Sequence, residues 1–193
     1  TGNKSKLTYE ELKSKVAKFA GALKSQGAKK GDRIIIYIPM IPEAVIAMLA
    51  CARIGAIHSV VFGGFASNEL ASRIDDSKAK ILVTASCGFE PGRTVEYKPL
   101  VDEAINQANH KIDKMILFQR SGHEVKLNAA SEVSWDEVTS NAEEIDCVEM
   151  SSNEFAYILY TSGTTGTPKG IVRDIGGHIV ALKWTMKNIY NID

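Results

Sequence analysis

The sequence is short of several things, and each shortage removes a class of function. It has no excess of either charge: 23 lysines and arginines balance 23 aspartates and glutamates. No long-range field therefore draws the chain to nucleic acid or to an anionic membrane, and any anion site must be local. It has only three cysteines, Cys51, Cys87 and Cys147, widely separated and without a C-x-x-C pair. That pattern speaks against a zinc site and a disulfide framework and fits free thiols in a reducing compartment, the cytoplasm or a mitochondrial matrix. No apolar run is long enough to cross a bilayer, and no charged n-region with an apolar h-region opens the chain. None of the four histidines has a carboxylate or thiol at a telling spacing, so no Ser-His-Asp arrangement can be argued. Internal repeats and low-complexity tracts are absent as well.

What remains is an ordinary globular composition, 45% hydrophobic and 24% charged, in 193 residues. That length supports one substantial core. The polar beginning and the end at Asp193, without a stop signal, give the expectation of a piece of a longer protein.

Strand and helix patterns alternate about five times along the chain. Thr8-Tyr9-Glu10-Glu11 reads as a capping box, with Leu12, Val16, Phe19, Ala20 and Leu23 repeating at helical spacing behind it. Residues 34–38 form a continuous apolar strand. Pro42 and Glu43 suit a helix first turn, and residues 44–52 are apolar on nearly every side, which predicts a deeply buried helix. Strands follow at 58–62, 81–84 and 115–118, with helices from Ser67 and around Leu100 to Ala108. The connection 86–99 reads as a long loop of the kind that carries function. Residues 120–133 read as irregular or as a hairpin, Ser134-Trp135-Asp136-Glu137 as a second capping box, and 146–154 as linker. Residues 155–160 read as a buried strand, and Ile179, Leu182, Met186 and Ile189 mark a last amphipathic helix. The alternation predicts an α/β fold with a doubly wound, largely parallel sheet and helices on both faces. Ligands of such sheets bind beyond the carboxyl ends of the strands, where the loops after Phe62, Thr84 and Tyr160 fall.

The stretch with the most chemistry is Thr161-Ser162-Gly163-Thr164-Thr165-Gly166-Thr167-Pro168-Lys169-Gly170. It has almost nothing to bury. Glycines let backbone N–H groups turn into a concave nest, hydroxyls add short donors, and Lys169 supplies a mobile positive charge, a combination suited to a polyphosphate. Each hydrogen bond to a charged oxygen contributes roughly 1.5–3 kcal/mol. A Walker A loop would need a glycine before the lysine and a hydroxyl after it, but Pro168 and Gly170 stand there. A solvated turn without a ligand is the other reading of such a segment. Phe62-Gly63-Gly64-Phe65 reads either as a tight βα turn or as a strand end where glycines admit a ligand to the backbone. Cys51, inside an apolar helix pattern, reads as packing rather than nucleophile.

Tyr-Thr-Ser-Gly-Thr-Thr-Gly-x-Pro-Lys-Gly resembles the phosphate loop of the acyl-adenylate-forming (AMP-binding) enzymes, which include acyl-CoA synthetases and the adenylation domains of peptide synthetases. The resemblance runs from Thr8 to Tyr190. Stretches 50–58, 92–97 and 170–174, with Arg173 where the acetate-activating branch usually carries histidine, look most like the propionate-activating short-chain acyl-CoA synthetases. The resemblance implies that residues 1–193 form part of a large N-terminal AMP-binding domain. It gives Thr161, Ser162, Gly163, Thr164, Thr165, Gly166 and Lys169 to the β- and γ-phosphates of ATP, with Thr161 or Thr165 near Mg2+. It gives Phe62, Gly63, Gly64 and Arg93 to CoA, although Glu90 occupies a position where the acetate branch has a second arginine. The implied reaction activates a short-chain carboxylate, propionate or acetate, through an acyl-adenylate to acyl-CoA, releasing AMP and pyrophosphate. The adenylation lysine is expected beyond Asp193, so the fragment itself is expected to be inactive. An adenylation domain that loads a carrier protein, and a non-catalytic nucleotide-binding module, are the alternatives. No nucleic acid or membrane partner is expected, and nothing in the sequence fixes the oligomeric state.

Overall fold

The computed structural model describes residues 4, 6–161 and 168–192. The elements run α1 (Tyr9–Ser25), β1 (Arg33–Tyr37), α2 (Pro42–Ile54), β2 (Ile57–Val60), α3 (Ser67–Ser77), β3 (Ile81–Ala85), β4 (Cys87–Glu90), β5 (Arg93–Glu96), α4 (Tyr97–Gln107), β6 (Lys114–Phe118), β7 (Glu132–Ser134), α5 (Trp135–Ser140), β8 (Phe155–Thr161), β9 (Lys169–Asp174) and α6 (Ile175–Asn188). Seven strands form one sheet in the order β7-β6-β3-β1-β2-β8-β9, and β4 and β5 form a separate hairpin. Every pair in the large sheet is parallel except β8 with β9. The α/β, doubly wound expectation holds.

The alternation of side chains along β1 divides two cores. Ile34, Ile36 and Ile38 join Phe19, Leu23, Ile46 and Ile54 in one layer with α1, α2 and α5. Ile35 and Tyr37 point the other way and join Leu70, Ile74 and Val101 under α3 and α4. A strand buried on both faces needs an unbroken apolar run, which is what Ile34-Ile35-Ile36 provides. The crossover through α2 leaves β1 toward β2 on one face. The crossover through α4 leaves β3 toward β6 on the opposite face, so the chain reverses direction beside β1. The crevice at such a reversal, outside the carboxyl ends of the strands, is where ligands of these folds sit.

Local chemistry explains several boundaries. The first capping box forms: Thr8 accepts from the Glu11 N–H, and the Glu11 carboxylate accepts from the Thr8 N–H at 2.7 Å. The second does not, for Ser134 caps α5 without a side-chain hydrogen bond. The connection 86–99 is no loop. Pro91-Gly92, with Gly92 at φ +78°, makes the tight turn of the β4–β5 hairpin, and α4 begins at Tyr97, with Pro99 inside its first turn. Within 120–133 the chain closes a small turn and then adds β7 as a parallel edge strand. Strand β9, not foreseen as a strand, pairs antiparallel with β8.

Three burial expectations fail. Strand β8 is only half-buried, with Leu159 49% exposed. Helix α2 leaves Val45 and Leu49 open to solvent, and α6 has no buried residue among those described. In α2 the exposed residues are the face turned away from the first core, which Ile46, Ala47, Ala50 and Ile54 join, whereas β8 and α6 share another cause. The two cores are built around β1, β3 and β6, and no residue after Ile145 belongs to either.

Candidate functional site

Strands β1, β2, β3, β6 and β8 are mutually parallel, so their carboxyl ends lie along one edge of the sheet. Three candidate segments leave from that edge. The turn 61–66 follows β2, the β4–β5 hairpin follows β3, and the hydroxyl-rich segment follows β8.

Of the last segment, Ser162, Gly163, Thr164, Thr165 and Gly166 lie outside the described residues. Its two ends are defined. Thr161 closes β8, Lys169 opens β9, and the two are register partners. Both are exposed, and no ion pair among the described residues involves Lys169. The next residue inward, Tyr160, is held firmly. Its hydroxyl donates to Asp76 of α3 at 2.6 Å, and the Arg73 guanidinium lies 5.4 Å from its ring centroid. Burial, then the Asp76 carboxylate, pushes the Tyr160 hydroxyl pKa up, so it stays protonated as a donor. Thus β8 enters the polar segment from a braced strand end.

The turn after β2 is fastened from below. Tyr37, the last residue of β1, donates from its hydroxyl to Phe65 O at 2.7 Å, with Gly63 O 3.3 Å away. Burial, then Tyr97, pushes the Tyr37 pKa up to about 12. Above the turn, Phe62 is 68% exposed and meets Phe65 edge to face, while Arg73 stacks on Phe65 at 4.7 Å. Gly63 is required by close approach to buried Tyr97, while Gly64 faces the exposed ring of Phe62. A methyl at Gly63 would overlap the Tyr97 hydroxyl, and one at Gly64 would lie 2.6 Å from the Phe62 ring.

Arg93 sits at the hairpin tip, bound to Glu90 by Nη2 at 2.7 Å and Nε at 2.8 Å. Its side chain is 70% exposed, so the pair is weakly held by solvent standards and the guanidinium can exchange its carboxylate for a phosphate. The hairpin base is tied down: Ser86 N donates to Phe118 O at 2.9 Å and Tyr97 N to Ser86 O at 3.0 Å.

The structure therefore places Gly63 and Gly88 of the hairpin that bears Arg93 against Tyr97, sets Phe62 against Gly64 in the adjoining turn, and places Thr161 and Lys169 together on β8 and β9. Sequence reasoning missed Tyr37, Tyr97, Gly88, Arg73 and Asp76. The one available signal was Tyr37 itself, a hydroxyl ending a fully apolar strand, which has to find a partner once buried. It also missed the seam between β2 and β8. Buried His58 stacks on Tyr157 at 5.5 Å, and Tyr157 meets His178 of α6 edge to face at 4.9 Å. Among the described residues His58 Nδ1 finds no hydrogen-bond partner, and burial, then His178, lowers its pKa to about 4. Cys51 is buried with its pKa pushed up by burial, an inert packing thiol as expected. Among the described residues no group of three His, Cys, Asp or Glu side chains could hold a metal ion, and no helix is long and apolar enough to cross a membrane.

A family model described as "AMP-binding enzyme" matches residues 1–192. The chain is 53% identical over 193 residues to acyl-CoA synthetase short-chain family member 3, mitochondrial, of Rattus norvegicus, covering 100% of this chain and 28% of that protein. It is 45% identical over 188 residues to acetyl-coenzyme A synthetase of Shewanella frigidimarina, covering 96% and 29%. Among solved structures, acetoacetyl-CoA synthetase from Streptomyces lividans superimposes with a TM-score of 0.88 at 26% identity, covering 97% of this chain and 28% of that one. The chain thus spans little more than a quarter of the length of the relatives it matches. With the family model matching nearly the whole length, the chain belongs to the AMP-binding enzymes.

Proposed function

We propose that this chain is part of an AMP-forming acid–thiol ligase acting on a short-chain carboxylate, with propionate favoured over acetate. A carboxylate oxygen attacks the α-phosphorus of Mg-ATP, the bond to the β-phosphate oxygen breaks, and pyrophosphate leaves. The CoA thiolate then attacks the acyl carbonyl and AMP departs. Thr161, Ser162, Gly163, Thr164, Thr165, Gly166 and Lys169 hold the β- and γ-phosphates. The leaving pyrophosphate gains negative charge, and preset N–H donors with an ammonium stabilise that charge as it develops. Mg2+ arrives with the nucleotide, and the Thr165 hydroxyl is its protein ligand in this reading. Phe62, Gly63, Gly64 and Arg93 form part of the CoA site. The adenylation lysine lies beyond Asp193, so residues 1–193 alone bind nucleotide weakly and complete neither step.

One observation carries this reading. The ends of the polar segment, the double-glycine turn and the arginine hairpin leave β8, β2 and β3 at the same edge of a sheet whose winding reverses there. The preference for propionate is supported by Arg173, which stands where the acetate-activating branch usually carries histidine. The test is pyrophosphate release by the full-length protein with acetate, propionate and butyrate, with and without CoA. Propionate giving the fastest CoA-dependent turnover is expected. Transfer that ignores CoA would favour the carrier-loading alternative, and nucleotide binding without carboxylate-dependent pyrophosphate would favour the non-catalytic module.

A further inference from the structure

Tyr97 stands between two loops that, among the described residues, no hydrogen bond joins directly. Its backbone is fixed, because it opens α4 and its N–H donates to Ser86 O. Its side chain is 5% exposed and faces a glycine on either side. A methyl at Gly88 of the hairpin would lie 2.6 Å from ring carbon Cε2, and a methyl at Gly63 would overlap the hydroxyl. Behind it stands Tyr37, 5.1 Å away between ring centroids, whose hydroxyl holds the carbonyl of Phe65. Two glycines from separate loops, stripped to the backbone against one rigid ring, mean that the ring sets the separation of those loops. It can do so because aromatic rings have few rotamers and both tyrosines are anchored in regular elements. Among the described residues the Tyr97 hydroxyl makes no hydrogen bond, so its effect comes from shape rather than from a donated proton.

We propose that Tyr97, backed by Tyr37, is the positioning residue that fixes the distance between the Phe62–Phe65 turn and the hairpin bearing Arg93, so that CoA capture depends on it and carboxylate adenylation does not. This rests on the ligase reading above and assigns to it two buried residues behind the loops. A site displaced by even 1 Å loses much of its complementarity.

The experiment uses the full-length enzyme and measures carboxylate-dependent ATP–pyrophosphate exchange alongside the KM for CoA. Tyr37→Phe removes one neutral hydrogen bond to the turn and raises the CoA KM roughly fivefold, with exchange within about twofold of wild type. Tyr97→Ala raises the CoA KM more than about tenfold, Tyr97→Phe restores it, and Gly88→Ala, which pushes the ring from the hairpin side, repeats the defect. If Tyr97→Ala does not fold, Tyr37→Phe and Gly88→Ala decide the matter. An unchanged CoA KM in these folded variants, or exchange falling in step with the CoA reaction, overturns the proposal. Absence of exchange in the wild type would instead sink the ligase reading on which it rests.

Discussion

Residues 6–145 and residues 155–192 are built by opposite rules. The first stretch wraps its sheet in helices on both faces, and Ile34, Ile35, Ile36, Leu70 and Val101 lose all contact with water. The second has in β8 an apolar run comparable to the earlier strands and in α6 a largely apolar helix, yet Phe155, Ile171, Ile179 and Trp184 remain open. The difference is the number of layers and not the residue type. A strand is buried by what covers it, and β8 and β9 lie at the sheet's end, outside both hydrophobic cores, with α3 reaching β8 at Tyr160 through Asp76 and Arg73. The candidate site spans this divide. The loops proposed for CoA stand on the packed part, and Thr161 and Lys169, proposed for the phosphates, stand on the open part, joined across the β2–β8 pairing.

The largest effect that would sharpen this contrast comes from Phe19, fully buried and stacked on Trp135 at 3.6 Å. Phe19→Ala leaves a cavity and lowers the chain's stability by about 3–5 kcal/mol in denaturant unfolding. Next is acid sensitivity at the seam. His58 has its folded pKa depressed to about 4 from the ordinary 6.5. The unfolded chain therefore takes up a proton that the folded one refuses. Stability is intact above about pH 6.5 and falls as pH drops through 4, by about 3 kcal/mol in total. His58→Phe flattens that part of the pH–stability curve, and an unaltered acid limb would show that other groups control it. The smallest effect belongs to the open part. Trp184→Ala, at a residue 60% exposed, changes the stability of this chain by less than about 0.5 kcal/mol. A loss as large as that at Phe19 would break the comparison. Amide exchange gives the same contrast without mutation: β1 and β3 exchange only through global unfolding, while β9, an edge strand, exchanges through local opening.

The same contrast governs what could be read in advance. In the packed part periodicity is a sound guide, since covering an element on a given side leaves its mark as an apolar stripe or an unbroken run. Residues 34–38, 81–84 and 115–118 all fall within a residue or two of the observed strands. In the open part the same signal misleads: residues 155–160 read as buried because an apolar run does not say what covers it. The β4–β5 hairpin was hidden by Pro91 and Gly92, which mark a tight turn as readily as a long loop. Strand β9 was hidden by an exposed, charged sequence, Lys169-Gly170-Ile171-Val172-Arg173-Asp174, with no buried face to give it period. Of the site, the residues legible in sequence were those with distinctive chemistry, Gly63, Gly64, Arg93, Thr161 and Lys169. Tyr37, Tyr97 and Gly88 come together from β1, α4 and β4, and no local pattern announces such a meeting.

The central claim is that the polar segment between β8 and β9 grips the phosphates of ATP during carboxylate activation. The most direct measurement is carboxylate-dependent ATP–pyrophosphate exchange by the full-length protein and its Lys169→Ala variant, in the absence of CoA. The account predicts exchange in the wild type and a loss of roughly 10- to 100-fold on removing the lysine, the value of one charged hydrogen bond. Equal exchange in the two proteins would contradict it.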